Sequence, residues 1–180
     1  MPLILGTNSI KDTGYDVANS CRWNDGDSPS MKKTFSSASR TTWTFSCWFK
    51  RGNLGITAGL LWSGTTAEER TGIFINSDDT IRWYSSESSA QASWLSSNRK
   101  LRDPSAFYHF VCRYDTTQST ESDRIRFYLN GEQLAMTSGT PDYPAEDNAS
   151  SYIGSDDDHF VGCIGYGTTT TEFFDGYLAE

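Results

Sequence analysis

The chain has 180 residues and a formal net charge of −8, long enough for one domain with a real core. The charge has the wrong sign for gripping nucleic-acid phosphates, and no apolar run approaches the ~20 residues a membrane-spanning helix needs. Hydrophobic content is low at 36% while aromatic residues reach 14%, with Gly, Ser and Thr plentiful, which is the composition of a β-sheet protein with long polar loops.

Residues 1–14 read as an extended arm whose Leu and Ile side chains can pack on the domain or on a partner. The opening MPLILGTNS lacks the basic and apolar regions of a signal peptide, so assembly in a cytosol is expected. SCRWNDGDS opens the folded domain, with Cys21 and Trp23 alternating with polar residues before an NDGD turn. The segment 29–41 is rich in Ser, Lys and Thr. TWTFSCWFK alternates cleanly: Trp43, Phe45, Cys47 and Phe49 face the core, and Trp48 stands among polar residues on the other face.

Leu60 to Trp62 predict a short strand, and SGTTAEER a loop. GIFINSDDTIRWYSS predicts a hairpin, with Asn76 to Asp79 as its turn and Ile81 and Trp83 alternating with Arg82 and Tyr84. Serines dominate 85–97, where Trp94 and Leu95 mark a short strand near 91–95; Pro104 then ends regular pairing.

FYHFVCRYD, a polar loop DTTQSTESD, and the alternating RIRFYLNG follow. Asn130-Gly131 is a strong signal for a two-residue type I′ turn, because both residues tolerate positive φ. Such a turn sets Leu129 opposite Glu132 and Phe127 opposite Leu134, landing the apolar pair on one face. TSGTPDYPAEDNAS reads as a long loop, SYIG as a short strand and SDDDHFVG as an acidic loop; CIGYG and TTTTEFFDGYLAE close the chain. Roughly eleven short strands without an amphipathic helix predict an all-β sandwich or jelly roll.

Several of these pieces resemble one family. YDVANSCRWNDGDS (15–28), TWTFSCWFKRG (42–52), FINSDDTIRW (74–83), LRDPSAFYHFVCRYDTTQSTESDRIRFYLNG (101–131), YIG (152–154) and FFDGYLAE (173–180) resemble the laminin G-like modules of the concanavalin A-like lectin/glucanase superfamily, of the kind found in tailed-phage virion proteins, many of them marine. The resemblance implies a jelly-roll sandwich of two antiparallel sheets spanning residues 15–180. It implies that FFDGYLAE opens a last strand pairing beside the first, so that Glu180 falls partway through it: either the last strand is short, or the chain is a piece of a longer protein, the favoured expectation. In function it implies a non-enzymatic virion component, an appendage or decoration of capsid or tail. Its expected partners are other virion proteins and copies of itself, and host surface glycans where it is adhesive; its place is the virion, after synthesis in the host cytoplasm. The alternative is a stand-alone lectin-like carbohydrate-binding module, with a glycoside hydrolase relative third.

The residues weigh these readings. A retaining glycosidase needs two carboxyl groups roughly 5–5.5 Å apart. The superfamily's glucanases carry a Glu-x-Asp-x-x-Glu-like strand, which is missing here; Glu68-Glu69 and Asp156 to Asp158 are consecutive loop acids. No cofactor is required, though calcium is an option: it takes six to eight oxygen ligands, and Asp25/Asp27, Asp78/Asp79 and above all Asp156, Asp157 and Asp158 are the available clusters. For glycan or partner binding, Trp48, Tyr84 and Tyr128 fall on polar strand faces, and with Arg82, Arg113 and Arg126 they make an aromatic-and-arginine surface if their strands share a sheet; the competing expectation is that loops cover that face. Cys21, Cys47, Cys112 and Cys163 form no C-x-x-C pair and are expected to be reduced, small apolar residues. His109 and His159 have no thiol partner.

Overall fold

A computed structural model describes residues 19–88, 90–149 and 151–179; the expected arm at 1–14 lies outside them. Fifteen strands occur among the described residues. In chain order they are β1 (Ser20–Trp23), β2 (Met31–Thr34), β3 (Thr42–Arg51), β4 (Ala58–Gly64), β5 (Arg70–Ile75), β6 (Thr80–Glu87), β7 (Ala90–Lys100) and β8 (Tyr108–Asp115). They continue with β9 (Ile125–Leu129), β10 (Glu132–Gln133), β11 (Met136–Asp142), β12 (Asp158–Val161), β13 (Ile164–Tyr166), β14 (Thr169–Thr171) and β15 (Gly176–Ala179). Two antiparallel sheets result, in the orders β1-β15-β3-β8-β9-β10 and β11-β7-β6-β5-β4-β12-β2, with β13-β14 as a separate hairpin. The fold is the all-β two-sheet sandwich that composition and turn spacing predict.

Alternation builds the core. Cys47 and Phe49 of β3, Phe110, Cys112 and Tyr114 of β8, and Ile125, Phe127 and Leu129 of β9 are buried from one sheet. Leu61, Ile73, Trp83 and Leu95 are buried from the other, as one row of cross-strand partners running β4-β5-β6-β7. Aromatic rings join the layers: Trp43 stacks on Tyr114 at 4.9 Å, and Trp83 lies 5.6 and 5.1 Å from these two rings. The serines of β7 are compatible with this interior because each has a partner. Ser93 Oγ accepts the Trp83 indole N–H at 2.6 Å, and Ser97 Oγ accepts the Ile81 N–H at 3.2 Å. The β9–β10 turn has the expected form, with φ of 52° at Asn130 and 83° at Gly131, Leu129 opposite Glu132, and the Leu134 N–H donating to the Phe127 carbonyl.

Three expectations need correction. SDDDHFVG is a strand in its second half: β12 joins β4 to β2, and MKKT, in the segment rich in Ser, Lys and Thr that received no assignment, is β2 itself. Charge hid both, because Asp158 meets Lys32 and Thr34 across the pair, so residues that look solvated neutralise one another on the sheet. SYIG is a loop; its Gly154 has φ of 92°, donates its N–H to His159 Nε2 and accepts the Ala38 N–H. The long loop after Met136 begins with β11, which lies at a sheet edge. The free cysteines follow expectation, with Cys47, Cys112 and Cys163 buried and Cys21 exposed. The closing segment forms β15, which pairs β1 on one side and β3 on the other.

A buried ion pair spans the layers. Arg51 at the end of β3 donates to Asp79 Oδ1 at 2.9 Å and to the Leu101 carbonyl at 2.6 Å; Asp79 sits in the β5–β6 turn of the other sheet. The Gly55 N–H and Arg102 Nε complete the Asp79 carboxylate. Burial by itself raises the Asp79 carboxyl, and the Gly55, Arg102 and Arg51 donors outweigh it, holding the group below its usual value. A depressed folded-state value means that this stabilisation is present above the unfolded-state value, about 4, and is lost as pH falls through the folded one. Asp79 has φ of 69°, which Asn tolerates, so Asp79→Asn isolates the charge. This variant is expected to lose about 3 kcal/mol at neutral pH, near the lower end for a broken buried pair because Asn still accepts a hydrogen bond. Urea midpoints measured from pH 7 to 3 should fall less steeply for the variant than for the parent. Parallel curves would show that the charge contributes nothing. On the outer side of the same sheet, a Cβ at Gly72 would lie 2.1 Å from the Trp62 indole. Gly72→Ala is accordingly expected to cost about 1–3 kcal/mol in the same assay, the usual range for overpacking.

Candidate functional site

The alternation that buries Leu61, Ile73, Trp83 and Leu95 sends their neighbours outward. Trp62, Gly72, Tyr84 and Trp94 form the next cross-strand row on the outer face of the seven-stranded sheet, with Phe74 and Arg82 one step along. Gly72 leaves the space that the Trp62 indole occupies. Four rings then close a circuit: Trp62 to Phe74 at 5.8 Å, Phe74 to Trp94 at 5.9 Å, Trp94 to Tyr84 at 5.7 Å, and Tyr84 to Trp62 at 6.1 Å. Edge-to-face and tilted contacts of this length are favourable aromatic geometries. Trp62 and Phe74 are buried beneath; Tyr84 and Trp94 are half-exposed above.

The β13–β14 hairpin stands on one side of this floor. Its Gly165 lies against the Phe160 ring, where no side chain fits, and Cys163, Ile164 and Phe160 pack with Trp62 and Phe74 as a second apolar cluster. Tyr166 rises from it as a wall. Two guanidinium groups border the rings. Arg82 lies 5.1 Å over Trp94 and is anchored to Asp78 and to Thr80 Oγ1. Arg70 lies 4.8 Å from Tyr166, 5.4 Å from Trp62 and 5.6 Å from Tyr84. Asp78 is held far below the usual carboxylate range: burial opposes the shift, and bonds from Thr80, Asn76 and Arg82 outweigh it. The result is an open, ring-floored surface with one wall and fixed cations, able to stack a planar or sugar-like face and to donate hydrogen bonds.

The six aromatic and arginine residues expected to form one surface divide between two. Tyr84 and Arg82 lie on the face just described. Trp48 of β3, Arg113 of β8, and Arg126 and Tyr128 of β9 lie on the outer face of the six-stranded sheet, on the opposite side of the sandwich. There Trp48 stacks on His109 at 4.7 Å, Arg113 reaches Asp115, and Arg126 reaches Asp123 at 2.6 Å. A partly exposed pair, Phe107 and Tyr177, continues this face, with Lys50 5.7 Å over Phe107. The residues the sequence reading missed are Trp62, Phe74, Trp94, Arg70 and Tyr166. For two of them the signal was present: Phe74 sits between Ile73 and Ile75, and Trp94 precedes Leu95, so once the isoleucines and the leucine are assigned inward the rings must face outward.

Part of the acidic cluster is engaged within the chain. Asp158 gives its two oxygens to Lys32 and Thr34, and the Asp157 backbone is engaged by Ser155 and His159. Among the described residues no group of three or more His, Cys, Asp or Glu side chains is placed to hold a metal. Two of the thiols are held in the protonated form: burial raises Cys112 strongly and pushes Cys163 up to about 11. A cavity of about 340 Å³ opens between the edge strands β1 and β2, lined by Trp23, Met31, Phe45 and Leu60 among others, and among the described residues no charged side chain lines it.

Comparisons with known proteins agree with the architecture. A family profile described as the concanavalin A-like lectin/glucanases superfamily (Laminin_G_3) matches residues 25–180. Among curated protein sequences, none matches. Among solved structures, the chain is similar to the CBM40 of Ruminococcus gnavus IT-sialidase bound to α2,3-sialyllactose, at 13% identity and a TM-score of 0.54, covering 84% of this chain and 90% of that one. It is similar also to the heptameric SAP-like pentraxin of Limulus polyphemus, at 14% identity and a TM-score of 0.56, covering 84% of this chain and 67% of that one. At these identities the likeness is one of fold, and with a profile match over most of its length the chain belongs to the concanavalin A-like lectin/glucanases superfamily, as a module of the Laminin_G_3 family.

Proposed function

We propose that this chain is a non-catalytic carbohydrate-binding module that holds glycans on the outer face of its seven-stranded sheet. The observation that carries the proposal is the four-ring circuit of Trp62, Phe74, Trp94 and Tyr84, half-exposed on top and bordered by two guanidinium groups. Sugars present apolar C–H faces with hydroxyls at their rims, which is the complement of rings with fixed donors around them. The similarity in fold to the Ruminococcus gnavus CBM40, which binds sialyllactose, supports the same reading.

The available acids support a non-enzymatic role. Glu69 accepts the Thr65 hydroxyl in the β4–β5 loop, Asp78 and Asp79 are committed to arginines, and Asp158 to Lys32. The resemblance to tailed-phage modules supplies the setting we propose: presentation on a virion, where weak single sites gain strength by repetition. That setting rests on the sequence resemblance, whereas the ring surface speaks to glycan binding itself, and binding therefore leads the proposal.

The test is a glycan panel read by surface-immobilised binding of the full chain, followed by calorimetry on the strongest hit. Trp94→Ala is expected to weaken the hit on the order of tenfold, the scale of losing a central aromatic contact. Trp48→Ala, on the opposite face, should leave it unchanged. Equal affinity of the Trp94→Ala variant and the parent would sink the proposed face; loss in Trp48→Ala alone would move the site to the other sheet.

A further inference from the structure

Arg70 differs from the arginines around it. Five other strand arginines, Arg51, Arg82, Arg99, Arg113 and Arg126, each lie within ion-pair distance of a carboxylate. Among the described residues Arg70 has no such partner, and its Nε is buried without an acceptor. Three ring faces surround the guanidinium instead, from Tyr166, Trp62 and Tyr84. Ser86, its cross-strand neighbour on β6, is buried with its hydroxyl unpartnered too. Ring faces attract a cation but accept no strong N–H···O bonds, so the fork of guanidinium donors stays unfilled. An unfilled, partly desolvated guanidinium is costly unless something supplies oxygen acceptors. The group also sits where the wall meets the floor, so a ligand lying on Tyr84 would bring its rim to the open side of the fork.

From this we infer that the surface is selective for anionic sugars, with Arg70 receiving a ligand carboxylate or sulfate while Tyr84 and Trp94 carry the ring. The inference rests on the glycan-binding reading and adds the charge class of the ligand and the residue that selects it. Carboxylate and sulfate both present paired oxygens at the spacing of a guanidinium fork, which makes them the shared chemistry that Arg70 recognises.

The test is an NMR titration of the full chain with D-glucuronic acid, D-glucose 6-sulfate and D-glucose, following the Arg70 Nε–Hε resonance and the indole N–H groups. At least one of the two acids is expected to bind roughly tenfold more tightly than glucose, the scale of one charge-assisted contact. The preference should shrink as NaCl is raised, vanish in Arg70→Gln and survive partly in Arg70→Lys. Preference for one acid alone supports the inference and identifies the anion. Glucose binding as well as both acids, or a preference retained in Arg70→Gln, overturns it and leaves the wider reading standing. Binding of no sugar overturns the wider reading and this one together. Should Arg70→Gln fail to fold, the parent decides: the Arg70 resonance must move with an acid and stay still with glucose.

Discussion

The pairing register of the β4–β7 meander is the constraint on which both the core and the candidate site depend. With a side-chain period of two, the partners Leu61, Ile73, Trp83 and Leu95 fall inside and the partners Trp62, Gly72, Tyr84 and Trp94 fall outside. A slip of one residue on β4, β6 or β7 would move an indole from the surface into the core or from the core to the surface, and a slip on β5 would turn Phe74 inward. Burial of the inner row therefore fixes the outer row: the hydrophobic free energy that folds the sheet also arranges the rings on its far side. Gly72 is the point where the two demands meet, since a strand glycine weakens the sheet and here makes room for Trp62.

Polar chemistry holds this register from within the sandwich. Thr71 and Ser85 bond to each other across β5 and β6 at 3.0 Å, Ser93 receives the Trp83 indole, and Ser97 receives the Ile81 N–H. Each bond is satisfied at one pairing and lost at the next, so the hydroxyls select register more than they add stability. The Arg51–Asp79 pair acts between sheets, tying the end of β3 to the β5–β6 turn. It lies at one end of the meander, and the ring circuit sits on the meander's outer face; the site is thus carried on a sheet fixed at its turn.

How much of this was legible in the sequence follows from the kind of signal each part leaves. The alternation in TWTFSCWFK and RIRFYLNG, and the Asn-Gly turn, announce strands whose one face is buried, and these strands fold as expected. Strands β2 and β12 were hidden because their charges pair with each other across the sheet, a relation between residues over a hundred positions apart. The site was half legible. Tyr84 and Arg82 stand out as large residues on a polar face, and they are on the outer face. Trp48 and Tyr128 carry the same signal and lie on the other sheet, because periodicity gives the face of a strand and not the sheet the strand joins. Arg70 left no signal, since what distinguishes it is the company of Tyr166, supplied from nearly a hundred residues away.

The central claim is that glycans bind on the ring circuit of the seven-stranded sheet. The six tryptophans offer a direct readout, since each indole N–H gives its own resonance and they are spread over both faces and the core. The decisive measurement is a chemical-shift map of these indole resonances with a bound oligosaccharide. The account predicts that Trp94 moves most, that Trp62, joined to it through Tyr84 and Phe74, follows, and that Trp48 and the core Trp83 stay still. Movement centred on Trp48, with Trp94 unchanged, would contradict it.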